Sequence, residues 1–117
     1  MAATPLTVEI VVREDRPVLC LRGALGVTDA SGLREAAMKL VAECALAASR
    51  GQTDRGAGLD LSALESGDIS ILQVLVALEA EFGRLHWLLQ VQEPPAAVAG
   101  QWRSAGWRGF SATRDGA

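Results

Sequence analysis

The chain has 117 residues, the size of one ordinary domain, enough for one hydrophobic core and too few for two. Half of its residues are apolar and 21% are charged, which excludes intrinsic disorder over most of its length. Eleven basic against fourteen acidic residues leave a formal net charge of −3, so there is no footprint for a phosphate backbone and no nucleic acid is expected among its partners.

The first element is β-rich. Val8 to Arg13 (VEIVVR) alternates imperfectly, and Val18 to Arg22 (VLCLR) follows the turn-like Glu14-Asp15-Arg16-Pro17, which predicts two strands joined as a hairpin. Gly23 to Val27 leads to Thr28 and Asp29, either of which suits an N-cap. Beyond them Leu33, Ala36, Ala37, Leu40, Val41, Cys44, Ala45 and Ala48 recur at helical spacing. Ser49 to Gly58 (SRGQTDRGAG) has no periodicity and reads as a surface loop.

Leu59 to Ser62 predicts a short strand, Ala63 to Gly67 a connecting loop, and Asp68 to Phe82 a second helix capped by Asp68 or Ser66 and ended by Gly83. Leu85 to Val91 (LHWLLQV) reads as a nearly continuous apolar strand covered on both faces. Pro94 and Pro95 start a third helix with Val98, Trp102 and Ala105 on one face and Gly106 as its stop, packed down by Trp107 and Phe110. The order β-β-α-β-α-β-α implies an α/β fold with a mixed, mostly parallel sheet of four to five strands and about three helices. No internal repeat or linker divides the chain. A single domain over residues 1–117 is expected, its core about 8–110, with flexible tails at both ends.

Few residues can do chemistry. Cys20 and Cys44 fall in an apolar strand and an apolar helix, where free cysteine acts as a small hydrophobe, and His86 is the sole histidine, so no metal and no cofactor are expected. Asp60 and Asp68 invite reading as a carboxylate pair for acid/base work, yet a strand-end Asp bonding loop amides and an N-cap Asp explain them better. Gly56-Ala57-Gly58 precedes a strand instead of following one, which is wrong for dinucleotide binding. No Walker A or GxSxG sequence is present, His86 in its strand reads as a packed or edge-exposed side chain, and no catalytic residue is assigned, so the chain is not read as an enzyme. Arg103 and Arg108 beside Trp102 and Trp107 read as solvated arginines around core-anchoring indoles. The N-terminal residues MAATPLTVEI lack a basic start and a long apolar stretch. Ile69 to Leu78 is too short to span a bilayer and is interrupted by Ser70 and Gln73, so a cytoplasmic protein without membrane insertion is expected.

The second helix is the informative element. Ile71, Val74, Leu75, Leu78 and Phe82 have the spacing of a core-facing stripe, while Ile69, Leu72, Val76 and Ala80 form a second stripe that points largely elsewhere. A helix apolar nearly all round is sandwiched within its own protein or partly exposed to meet another.

The run Leu59 to Leu75 (LDLSALESGDISILQVL) resembles the centre of the STAS domain, the sulfate transporter and anti-sigma factor antagonist family, which reads as an LDLS-like strand, a short loop, then Asp-Ser/Thr-Ser/Ala-Gly-Leu opening a helix. Upstream, Leu21-Arg22-Gly23-Ala24-Leu25 resembles the family's "RGxL" strand exit. Downstream, Trp102 to Trp107 (WRSAGW) resembles its closing "L-x-x-x-G-L" with Trp in both Leu positions, so the resemblance spans roughly Val8 to Phe110. It implies a STAS-like, non-catalytic regulatory adaptor, docking a signalling partner such as an anti-sigma factor or a histidine-kinase-like ATPase through Asp68, Ile69, Ser70, Leu72, Gln73 and Val76. Anti-sigma factor antagonists carry a phosphorylated Ser or Thr after the motif Asp. Here that position is Ile69, which has no hydroxyl, and the usual Gly is Ile71. The family's switch is therefore expected to be absent, with Ser66 and Ser70 as substitute phosphorylation candidates. Leu72-Gln73 matches the "LQ" of STAS proteins related to chemotaxis and two-component signalling. A homodimer through the exposed stripe, a small-ligand-binding STAS module, and an accessory STAS subunit of a lipid-transport ABC system are the other readings. A pocket of roughly 300 Å³ or more with convergent polar groups would mark the ligand-binding one.

Overall fold

The computed structural model describes residues 7–51 and 56–110. The expected terminal tails and the middle of the expected Ser49 to Gly58 loop lie outside the described residues.

Strand β1 (Val8–Arg13) and strand β2 (Arg16–Leu25) form an antiparallel hairpin that pairs Arg13 with Arg16. The expected four-residue turn is two residues long. Glu14 and Asp15 both adopt positive φ, 54° and 64°, the backbone that lets a two-residue turn follow the strand twist, and Arg16 and Pro17 join β2.

A single 3-10 turn (Val27–Asp29) leads into helix α1 (Ala30–Ser49). Asp29 stands at the helix start as expected, but its carboxylate reaches back to accept the Gly26 N–H at 2.8 Å and makes no cap bond within α1. Leu33, Ala37, Leu40 and Cys44 are buried, whereas Ala45, expected on the same face, is exposed.

Strand β3 (Ala57–Gly67) corrects the reading of Ala63 to Gly67 as a loop. Those residues pair in parallel with Arg22 to Leu25, through register shifts between Cys20 and Arg22 and between Gly23 and Ala24. The irregularity puts Ser62 and Ala63 both in solvent and so erases the alternation that marks a strand. Gly56 precedes β3 with φ +64°, and a side chain there would run into the Leu88 carbonyl, so the Gly56-Ala57-Gly58 run serves close strand packing.

Helix α2 (Ile69–Arg84) passes through Gly83 and ends two residues later than expected. The segment Leu85 to Leu88 is not strand. The Trp87 N–H bonds the Phe82 carbonyl at 3.0 Å, His86 turns the chain at φ +58°, and the Trp87 ring meets Phe82 edge-on at 5.7 Å. Strand β4 is only Leu89–Gln92, and of its four residues only Leu89 is buried, so it is a sheet edge and not the sandwiched strand its apolar sequence suggested.

Helix α3 (Ala96–Ser104) buries Val98, Ala99 and Trp102, leaves Ala105 exposed, and is followed by Gly106 at φ +102°. Trp102 and Trp107 meet edge-on at 5.6 Å, and Trp107 meets Phe110 at 5.2 Å.

The sheet order is β1-β2-β3-β4, with the first pair antiparallel and the other two parallel. Leu19 and Leu21 of β2 with Leu59, Leu61 and Leu64 of β3 join the core beneath α1 and α2; Val18 and Cys20 alternate to the opposite face. This is the expected α/β architecture of four strands and three α-helices.

Candidate functional site

The site begins where β2 and β3 leave the sheet side by side. Leu25 pairs with Gly67, and the Asp68 N–H donates to the Leu25 carbonyl at 3.0 Å, so the entry to α2 is tied to the end of β2. Asp68 is extended (φ −62°, ψ 159°) and caps the helix: its carboxylate accepts the Ser70 N–H at 2.9 Å and the Ser70 hydroxyl at 2.7 Å. The Ser70 hydroxyl and amide hold the Asp68 carboxyl below the usual carboxylate range.

Beneath this turn lies a contact that nothing local in the sequence announces. The Trp102 indole N–H donates to the Gly67 carbonyl at 2.9 Å, and an added Cβ on Gly67 would stand 2.8 Å from Trp102 Cζ2. The ring is fully buried and braced by Trp107. Residue 67 is thus glycine because an indole occupies the space of its side chain. Arg103 lies over the Trp107 ring at 5.7 Å, so one of the two expected solvated arginines is a cation–π partner.

The core-facing stripe of α2 is as expected: Ile71, Val74, Leu75, Leu78 and Phe82 are buried. The second stripe divides. Ile69 is 38% exposed and Val76 44%, and Ala80 is also exposed, but Leu72 is 7% exposed and belongs to the core. Successive helix positions turn by about 100°, which leaves Leu72 about 60° round from Ile69, on the flank away from α1. Of the residues expected to meet a partner, Asp68, Ile69, Gln73 and Val76 are exposed, Ser70 is half-buried, and Leu72 is not available. Ser66 is half-buried within β3 opposite Ala24.

Between α1 and α2 runs a groove of about 350 Å³ with Ala37, Val41, Val74 and Ala77 among its lining and Arg34 and Gln73 at its polar margin. Two of its other polar residues are engaged elsewhere: Ser70 with Asp68, and Glu81 with Arg84 through two hydrogen bonds of 2.8 and 2.9 Å. Met38, also in the groove, is 66% exposed, and Val27, the first residue of the 3-10 turn, is 67% exposed.

The other face of the sheet carries a polar cluster. Arg13 of β1 spans β2 to reach Asp60 of β3 at 2.8 Å, the Ser62 hydroxyl donates to Asp60 at 2.6 Å, and the Gln92 amide nitrogen, oriented to satisfy both groups, lies 2.8 Å from both Asp60 oxygens. Partial burial raises the Asp60 pKa, but the bonds from Ser62 and Arg13 outweigh it and the carboxyl sits below its ordinary value. Asp60 and Asp68 stand at opposite ends of the second half of β3, roughly 20 Å apart, too far to share a proton or an ion. Asp60 is mid-strand, not at a strand end as expected, because β3 continues to Gly67. Cys20 lies beneath Arg13, its sulfur 3.5 Å from the guanidinium, and burial pushes its thiol up against the opposing pull of Arg13. Burial does the same for Cys44, and both cysteines are free. Among the described residues no cluster of His, Cys, Asp and Glu has the makings of a metal site, and no helix is long and apolar enough to cross a membrane.

No family model matches the chain, and a search of curated proteins finds no match. Solved structures do match. A serine-to-glutamate variant of RsbS from Moorella thermoacetica superposes with a TM-score of 0.63 at 22% identity, over 86% of this chain and 79% of that one. A crystal structure of Mglu matches with a TM-score of 0.57 at 18% identity, covering 77% of this chain but only 20% of that one. The fold is the STAS fold of RsbS, as the resemblance of the Leu59 to Leu75 run implied.

Proposed function

We propose that the chain is a non-catalytic regulatory adaptor that docks a signalling protein through the start of α2. The observation that carries this reading is the exposed pair Ile69 and Val76, on the outer face of a helix whose first turn is pinned by Asp68 and braced from below by Trp102. Two aliphatic side chains held rigidly in water gain by being covered, and a pinned surface loses little entropy on binding. Gln73 between them supplies a polar contact. The preferred partner is a histidine-kinase-like ATPase or anti-sigma factor, by analogy with the STAS fold.

Regulation by phosphate at the motif position is excluded chemically, since Ile69 has no hydroxyl. The two nearby serines are poor replacements. The Ser70 hydroxyl is bound to Asp68, and a phosphate there would sit against that carboxylate. Ser66 is half-buried within a paired strand. The cytoplasm is the compartment such an adaptor would work in. The groove between α1 and α2 reaches the size of a small-ligand pocket, but with Ser70 and Glu81 occupied by neighbours few polar groups are left to orient a ligand. That balance favours protein docking.

The test is an Ile69→Asp/Val76→Asp variant, both sites being exposed enough for the fold to survive, checked by circular dichroism. Capture of the native-cell partner should fall by about tenfold or more, the effect of placing charges in a covered apolar contact. Unchanged capture by the folded variant would sink the proposal.

A further inference from the structure

The face of the sheet turned away from α1 and α2 holds a cavity of about 190 Å³ at the hairpin end. Its floor follows from the strand register. Val18 of β2 pairs with Gly58 of β3, and Gly58 pairs with Gln90 of β4, so the row of side chains across this face has a gap at its centre. The Val18 isopropyl leans over that gap, its Cγ2 3.0 Å from where a Cβ on Gly58 would stand, which makes the floor small and apolar. Arg13 and Gln92 wall one side, but both are committed to Asp60. Two lining charges are left. Arg16 is half-buried directly across the hairpin from Arg13, a like charge, and its guanidinium has no ion-pair or hydrogen-bond partner among the described residues. Glu14 stands at the rim and is likewise unpaired among them, even with Arg16.

We infer that this cavity binds a free α-amino acid, with its carboxylate on Arg16 and its ammonium on Glu14. An unpaired guanidinium set beside a second cation is stabilised by an anion, and its planar fork matches a carboxylate. A simple anion does not satisfy the site, because Glu14 stands at the same rim and would repel it. A phosphate group, with about −1.5 to −2 charges, meets that repulsion more strongly. The charges cancel in pairs, Arg13 against Asp60 and Arg16 against Glu14, so the ligand that suits them is neutral overall and carries both signs close together. Gln90 is exposed, its amide makes no bond among the described residues, and it can donate to the same carboxylate. The volume lies below the roughly 300–1,000 Å³ of pockets for drug-sized ligands, and the apolar floor of Val18 and Gly58 suits a short side chain such as that of alanine or serine. The site is on the opposite side of the sheet from α2 and independent of the docking surface proposed above.

The site is tested by titrating the isotope-labelled full chain with L-alanine and with L-serine and following its amide NMR shifts. Saturable shifts centred on Arg16, Gly58 and Gln90 with either amino acid are the expected result. Sodium acetate and methylamine, each carrying one of the two charges, should bind about tenfold or more weakly than the amino acid. Arg16→Gln should weaken amino-acid binding by about tenfold or more. Glu14→Gln should do the same while strengthening acetate binding, since the repelling carboxylate is gone. Circular dichroism checks that both variants keep the fold. Absence of saturable shifts with both amino acids overturns the inference. So does acetate binding as tight as that of the amino acid, or amino-acid binding that survives Arg16→Gln or Glu14→Gln unchanged. Ile69→Asp/Val76→Asp should leave the titration as it is in the wild type, which separates failure here from failure of the docking surface.

Discussion

The contact between Gly67 and Trp102 gives the sharpest test of how the entry to α2 is held. A Cβ at residue 67 would stand 2.8 Å from Trp102 Cζ2, inside contact distance, and the ring has little freedom to retreat because its N–H is bound to the Gly67 carbonyl and its face is braced by Trp107. Overpacking of this kind costs about 1–3 kcal/mol. Gly67 does not have positive φ, so alanine is conformationally permitted there, and the lower entropy of the unfolded chain offsets about 0.4–1 kcal/mol. Gly67→Ala should therefore lose about 1–2 kcal/mol, or about 4–8 °C in Tm for a domain of this size. Trp102→Phe removes Cζ2 and the indole donor together. On its own it should cost about 2–3 kcal/mol, from lost packing and a carbonyl left short of a partner. In that background the clash has gone and the entropic gain remains, so Gly67→Ala should become neutral or slightly stabilising. The urea-denaturation cycle of wild type, both single variants and the double variant should show a coupling of about 1–3 kcal/mol at constant m-value. If Gly67→Ala costs the same in both backgrounds, the indole is not what keeps residue 67 a glycine.

Two further outcomes follow from the sheet. The Asp60 carboxyl has a lower pKa folded than unfolded, so its contribution is fully present above the unfolded value near 4 and is lost as pH falls through the folded value below it. Asp60→Asn should cost about 1–2 kcal/mol at pH 7 and flatten the acid limb of the stability profile; an unchanged limb in pH-dependent urea melts would refute that assignment. At the hairpin, Glu14 holds φ +54°, a conformation that asparagine tolerates better, so Glu14→Asn should raise stability by about 0.5–1 kcal/mol, and a loss in thermal melts would contradict the turn geometry.

What the sequence made legible was local. Asp68 ahead of an apolar run is a helix start whatever surrounds it, and the Ile71, Val74, Leu75, Leu78 and Phe82 spacing names the buried face without tertiary information. Leu72 was misplaced because the spacing defines an arc but not its width, and the packing of α2 widens the buried arc by one flank. The second half of β3 was hidden by its register shifts, which expose Ser62 and Ala63 together. Leu85 to Leu88 looked like strand because apolar runs shorter than a helix do not distinguish strand from a helix end wrapped over its own aromatic residue. The Gly67–Trp102 contact joins residues 35 positions apart and leaves no local mark beyond an unexplained glycine before a cap. The exposure of Val12 is not legible in the strand itself, since it depends on sheet order, and among the described residues β1 stands at one end of that order.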